Sequence, residues 1–258
     1  KETLEEIMEI KSPFVFLSVR KRISWQLLGV FIKTGKQGNI GEGARNDLRD
    51  MYEIITREME EVIERRPYEP QPYYLLGSIY RVGSEQLGEE DLGKAEKVLK
   101  KALEFSDLRI EYFNELGLVL LKQGKFEEAE KLIKEYGDRV GPNNPFAAVT
   151  LGHLYFLHKD YDLAMEQYKK AEERGHDFQN PIEYNRYLTA AEQTEDWQKI
   201  IDLSLENIKE EGGNAQAYFN LALAYKRIGE AGKAKEYFDK AAEINKEFED
   251  YRVYFEGI

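Results

Sequence analysis

A chain of 258 residues with 33% charged residues, 42% hydrophobic residues and only seven prolines can bury a core and stay ordered over most of its length. Its net charge of −12 excludes generic nucleic-acid binding, which needs cations to replace phosphate counterions. The absence of cysteine excludes disulfides, thiolate zinc sites and cysteine nucleophiles, and it assigns no compartment.

The sequence opens at Lys1 with no methionine, which reads as a trimmed or excised piece of a longer protein. Thr3 with Glu6 makes a capping box and predicts a short first helix. Further helices are predicted at 13–34 and 44–66. In the 13–34 helix, Phe14, Leu17, Trp25, Leu28 and Ile32 spread over one side, and Phe16, Val19, Ile23, Leu27 and Val30 over another. Residues 11–41 carry six Lys or Arg and no acidic residue. A helix apolar around most of its girth needs burial on more than one side. It is expected in the core of the first hairpins, with self-association, a membrane surface or a missing part of the parent protein as the alternative partners. It does not read as a membrane span, because Arg20, Lys21 and Arg22 sit at its centre and each costs about 2.5–3.5 kcal/mol there. The string GKQGNIGEG at 35–43 lacks the spacing and the Ser or Thr of a phosphate-binding loop and reads as a connection.

Helix pairs follow, joined by short polar turns: 71–82 with 92–105, 110–123 with 126–136, 145–158 with 161–174, 181–193 with 197–210, and 215–228 with 232–245. Ser12-Pro13, Asn144-Pro145 and Asn180-Pro181 each place a capping side chain before a proline, and Asn214 can cap the last pair. Gly35, Gly83, Gly124 and Gly229 are expected to end helices in the left-handed conformation. A tail at 246–255 spaces Phe248, Tyr251 and Phe255 along one helical face and reads as a closing half-repeat.

Across these pairs a small residue recurs, with an alanine twelve positions later: Gly117 and Ala129, Gly152 and Ala164, Ala222 and Ala234. Ala95, Ala129, Ala164, Ile200 and Ala234 are separated by 34, 35, 36 and 34 residues. A period of this length signals stacked helical hairpins. Large residues flank the small ones in phase: Phe113, Leu116, Leu120 and Ile133, then Leu151, Tyr155 and Tyr168, then Tyr218, Leu221, Tyr225 and Phe238. This pattern resembles the tetratricopeptide repeat (TPR). The resemblance implies an all-α fold, an α-α superhelix of about five repeats with a helical N-terminal region and a C-terminal capping helix. It divides the chain into 1–66, a degenerate repeat or cap, and 67–258, the array.

Two repeats depart from the pattern. Eighteen residues separate Gly77 from Ala95, so six extra residues are expected in the turn near Ser84 to Asp91. The fourth repeat has Leu188 and Ile200 where small residues belong, and Asn207 where alanine is common. Its helices are expected to sit further apart.

No catalytic constellation, cofactor motif or metal site is read here: His153, His158 and His176 lack metal-ligand spacing. The resemblance instead implies a concave groove lined by fixed positions of each first helix. Carried over by register, these include Tyr74, Arg81, Asn114, Lys122, His153, Phe156, Asn185, Phe219, Lys226 and Arg227. The cations Arg81, Lys122, Lys226 and Arg227 outnumber Glu111 and Glu192 there, so the groove is expected to be positive relative to the rest of the chain. The expected function is a non-enzymatic scaffold binding an extended protein segment, its backbone bonded by Asn114 and Asn185 and its carboxylates met by the cations. The alternative is the repeat tail of a larger bacterial membrane protein, such as a glycan polymerase or ligase of the O-antigen type.

Overall fold

A computed structural model describes Gly29 and residues 42–256. The predicted short first helix and the 13–34 helix, with its expected burial and self-association, lie outside the described residues. Among the described residues the fold is all-α: twelve α-helices and one 3-10 helix, with consecutive helices packing in pairs and no strand. They are α1 (Glu42–Arg65), α2 (Pro70–Leu87), α3 (Leu92–Phe105), α4 (Ile110–Lys122), α5 (Phe126–Val140), α6 (Pro145–His158), α7 (Tyr161–Glu173), α8 (Pro181–Gln193), α9 (Trp197–Glu211), α10 (Ala215–Arg227) and α11 (Ala231–Ile244). A 3-10 helix (Lys246–Tyr251) and α12 (Arg252–Glu256) follow. The chain divides into two compact units, Lys1–Thr150 and Leu151–Ile258.

In the first unit, α1 packs on α2, and the close approach is made by Gly83 against the ring of Tyr52. A Cβ on Gly83 would lie 2.8 Å from Tyr52 Cδ2, so the glycine serves packing and does not end the helix. α2 runs on to Leu87 and is closed by Gly88 at φ 77°. This corrects the expected stop at Gly83 and places the first of the six extra residues in helix rather than in the turn. The hydroxyl of Tyr52 then donates to the carboxylate of Asp91, and that of Tyr80 to Glu60 Oε1 at 2.7 Å.

The repeat residues are buried in both units. Ala95, Ala129, Ala164, Ala222 and Ala234 have no exposed surface, and Gly77, Gly117 and Gly152 are buried. The glycines face the large residue of the paired helix rather than its alanine. A Cβ on Gly77 would lie 2.8 Å from Leu99 Cδ2, and one on Gly152 would lie 2.5 Å from Tyr168 Cδ1. Gly117 has more room, with Ile133 Cδ1 at 3.5 Å from such a Cβ. Small residues here let a neighbouring side chain fill the space that their own would occupy.

Capping follows the sequence. Asn144 Oδ1 accepts from Phe146 N, Asn180 Oδ1 from Ile182 N and Asn214 Oδ1 from Ala217 N, each at 2.9 Å. Four of the turns within pairs use one backbone device. Gly124, Lys159, Glu195 and Gly229 occupy the same register position with φ of 75°, 69°, 55° and 84°. Two of the four are not glycine, and the repeat's turn geometry overrides residue preference there.

In the second unit, Tyr168, Phe178 and Tyr187 form an aromatic core with ring centroids 4.8 to 5.7 Å apart. α8 and α9 pack less closely than α10 and α11, in keeping with Leu188 and Ile200 in place of small residues. The tail is a 3-10 helix followed by a short α-helix, and Phe248, Tyr251 and Phe255 all turn towards Phe219, on the common face their spacing predicts. It begins where Asn245 Oδ1 accepts from Glu247 N at 3.0 Å. Phe255 joins Ala222, Ala234, Phe238 and Ala242 in a buried cluster, so the tail does cover the last pair.

Candidate functional site

In the first unit, the register positions carry an internally paired set of charges. Arg81 lies on the fourth turn of α2 and has 14% of its side chain exposed. It donates Nε to Glu115 Oε1 at 2.5 Å and Nη1 to Glu85 Oε1 at 2.6 Å. Lys122 Nζ lies 3.1 Å from the same Glu85 oxygen. Burial opposes the charge on Arg81, but Glu115 and Glu85 outweigh it and raise its pKa. Glu85 is in place because α2 continues past Gly83. Tyr74 stacks on Tyr112 with centroids 4.9 Å apart, and burial with the nearby Glu115 pushes its hydroxyl up to about 12. Asn114, two residues after Tyr112, is half-buried, with Oδ1 enclosed and without a hydrogen-bond donor.

In the second unit, His153 is half-buried on α6, edge-on to Tyr168 at 5.7 Å, with Nε2 enclosed and without a hydrogen-bond partner. Burial, then Arg186 and His176, hold its pKa down at about 3, so it is neutral at physiological pH. Phe156 packs edge-on to Tyr161 at 5.7 Å. Phe219 is covered by the chain's own tail: Phe248 stacks on it at 4.6 Å, with Tyr251 at 5.2 Å and Phe255 at 5.9 Å. Lys226 donates to the carbonyl of Tyr254 and lies over that ring. Arg227 is exposed and rests over Trp197 at 5.3 Å.

In the first unit the formal charges counted along the sequence are offset, because Glu85 and Glu115 neutralise Arg81 and Lys122. In the second unit Lys226 is bonded to a neutral carbonyl of the tail, which offsets no charge. Sequence counting missed this because the partners lie outside the counted positions: Glu115 is 34 residues from Arg81, and Tyr254 is 28 from Lys226.

Asn185 belongs to a different feature. It is exposed on the first turns of α8, at the edge of an open cleft of about 800 Å³ inside the second unit. α8 contributes Pro181, Tyr184 and Asn185, α9 contributes Leu203, Glu206 and Asn207, and α10 contributes Gln216 and Asn220. Asp177 and Gln179 stand on the preceding loop, and Asn245 and Phe248 close the far side. Five asparagines and two glutamines line it, with two carboxylates and no Lys, Arg or His. Gln216 Nε2 donates to Asn220 Oδ1 at 2.9 Å, which orients both amides. Asn207 and Asn220, absent from the sequence-derived set, are brought beside Asn185 by packing of three helices. No group of three or more acidic, histidine or cysteine residues suited to a metal ion occurs among the described residues.

Comparison with known proteins follows the same lines. Residues 111–177 and 215–248 match family models of the tetratricopeptide repeat. A segment of 99 residues is 33% identical to the BBSome complex member BBS4 of Bos taurus, covering 38% of this chain and 17% of that protein's length. The fold is similar to the Pseudomonas aeruginosa pilF structure, at 15% identity and a TM-score of 0.54, over 89% of this chain and 98% of that one. It is also similar to YrrB, a TPR protein with an unusual peptide-binding site, at 19% identity and a TM-score of 0.50, over 73% of this chain and 92% of that one. Buried repeat residues in register, paired helices and two matching family segments agree: the chain carries tetratricopeptide repeats at residues 111–177 and 215–248, a fold that typically serves as a scaffold for protein interactions.

Proposed function

We propose that this protein is a non-enzymatic scaffold that binds an extended segment of a protein partner along the first helices of its repeats. The observation that carries this reading is the open cleft with exposed Asn185, a register position, and exposed Gln216 on its wall. Amide side chains offer both a donor and an acceptor, which matches the alternating groups of an extended backbone. The peptide-binding site of YrrB, on a similar fold, supports the same reading. The membership of BBS4 in a multiprotein complex is consistent with it.

The ion pairs of Arg81 and Lys122 with Glu85 and Glu115 move the reading away from carboxylate recognition in the first unit and towards backbone bonding. No helix among the described residues is long and apolar enough to cross a membrane. The test is a titration of the isotopically labelled chain with a mixture of capped random nonapeptides, followed by amide chemical shifts. Saturable shifts at the cleft residues Asn185 and Gln216 are expected. Shifts confined to exposed second-helix positions such as Lys131 or Leu163 would refute it.

A further inference from the structure

The cleft has a sign that the rest of the register positions do not share. It lies where the fourth repeat departs from the pattern: Asn207 replaces the usual alanine, and α8 and α9 pack less closely than α10 and α11. Asp177 and Glu206 supply carboxylates from two sides, on the loop before α8 and on α9, and both are exposed. None of the residues lining the cleft is basic. Tyr184 and Phe248 add aromatic surface. A peptide carboxylate would face two carboxylates here, whereas an ammonium or guanidinium would find both of them and ring faces within one opening.

We infer that the cleft of the fourth repeat receives a Lys or Arg side chain of the partner, with the flanking peptide backbone bonded by Asn185, Gln216 and Asn220. This rests on the scaffold reading above and gives it a ligand class: an extended, basic protein segment. The alkyl stem of such a side chain suits the Tyr184 and Phe248 surface while its charged end reaches the carboxylates. The net charge of −12 draws a basic segment towards the protein before contact.

The experiment uses the full chain and three mixtures of capped nonapeptides with randomised neutral flanks, differing only in a central Arg, Ala or Glu. The Arg-centred mixture is expected to bind about fivefold more tightly than the Glu-centred one, the size expected for exposed charge pairs. Asp177→Asn with Glu206→Gln should bring that ratio close to one and leave binding of the Ala-centred mixture unchanged. Circular dichroism confirms that the double variant is folded. As a second measurement, independent of any variant, raising the salt from about 50 to 500 mM should shrink the preference in the parent protein. Equal binding of the three mixtures, a preference for Glu, or a preference for Arg that survives the double variant would overturn the inference. Binding of the Ala-centred mixture without an Arg preference leaves the scaffold reading standing and removes only the basic ligand. Failure of all three mixtures to bind removes both.

Discussion

Gly117 and Gly152 occupy the same repeat position, yet the structure assigns opposite signs to replacing each with alanine. Both lie in helix interiors, where alanine is favoured over glycine by about 0.5–1 kcal/mol. At Gly152 the new Cβ would lie 2.5 Å from Tyr168 Cδ1, and Tyr168 is fully buried between His153, Phe178 and Tyr187. The ring has nowhere to retreat, and forcing an extra carbon into a packed core costs about 1–3 kcal/mol. The net result for Gly152→Ala is a loss of about 1–2 kcal/mol. At Gly117 the nearest atom, Ile133 Cδ1, would be 3.5 Å away, an ordinary contact. Gly117→Ala should therefore gain about 0.5–1 kcal/mol from helix propensity alone. Urea unfolding followed by helical circular dichroism gives the two signs. Hydrogen exchange of the α4–α5 and α6–α7 amides locates them, since a repeat array can lose cooperativity between neighbours. A neutral or stabilising Gly152→Ala, or an equally damaging Gly117→Ala, would refute the view that position-specific room for the facing side chain sets the packing.

Two further outcomes follow from the second unit. His153 has a folded-state pKa of about 3 against an ordinary value of 6.5, so below the ordinary value the unfolded chain binds the proton first. Stability from this group is full above that value and falls as pH drops towards the folded pKa, by about 2 kcal/mol between pH 7 and 5. His153→Gln should flatten the pH dependence of the urea midpoint by that amount, and an unchanged slope would show that the imidazole is not held neutral. Phe255→Ala removes the ring that stacks on Phe238 at 4.5 Å and should cost about 3 kcal/mol while raising dye binding to the exposed last pair. No change in either readout would mean that the tail is not a cap.

The sequence is most legible where spacing alone decides structure. The period between Ala95, Ala129, Ala164 and Ala234 reports which residues must be buried, and the asparagine-proline pairs report where helices begin. It is least legible where one residue type has two uses. Glycine marks both a left-handed turn and a close helix approach; Gly124 is the first and Gly83 the second, and only the position of Tyr52 distinguishes them. The reverse holds at Lys159 and Glu195, where a left-handed turn carries no glycine to announce it. In the first unit the balance of charge is hidden for a related reason. Arg81 and Lys122 share Glu85, which sits at no repeat position because it belongs to the lengthened end of α2. The departures in the fourth repeat were visible as Leu188, Ile200 and Asn207. That Asn185, Asn207 and Asn220 would meet around one opening depends on the packing of α8, α9 and α10, which no spacing encodes.

The placement of the partner segment is tested most directly by photo-crosslinking in the full chain. Benzoylphenylalanine is introduced in place of Asn185 in the cleft and, separately, in place of the exposed Leu163 on α7. After irradiation with the Arg-centred nonapeptide mixture, the account predicts saturable crosslinks from position 185 and none from 163. Crosslinks from 163 at equal yield, or none from 185 under conditions where the mixture binds, would contradict it.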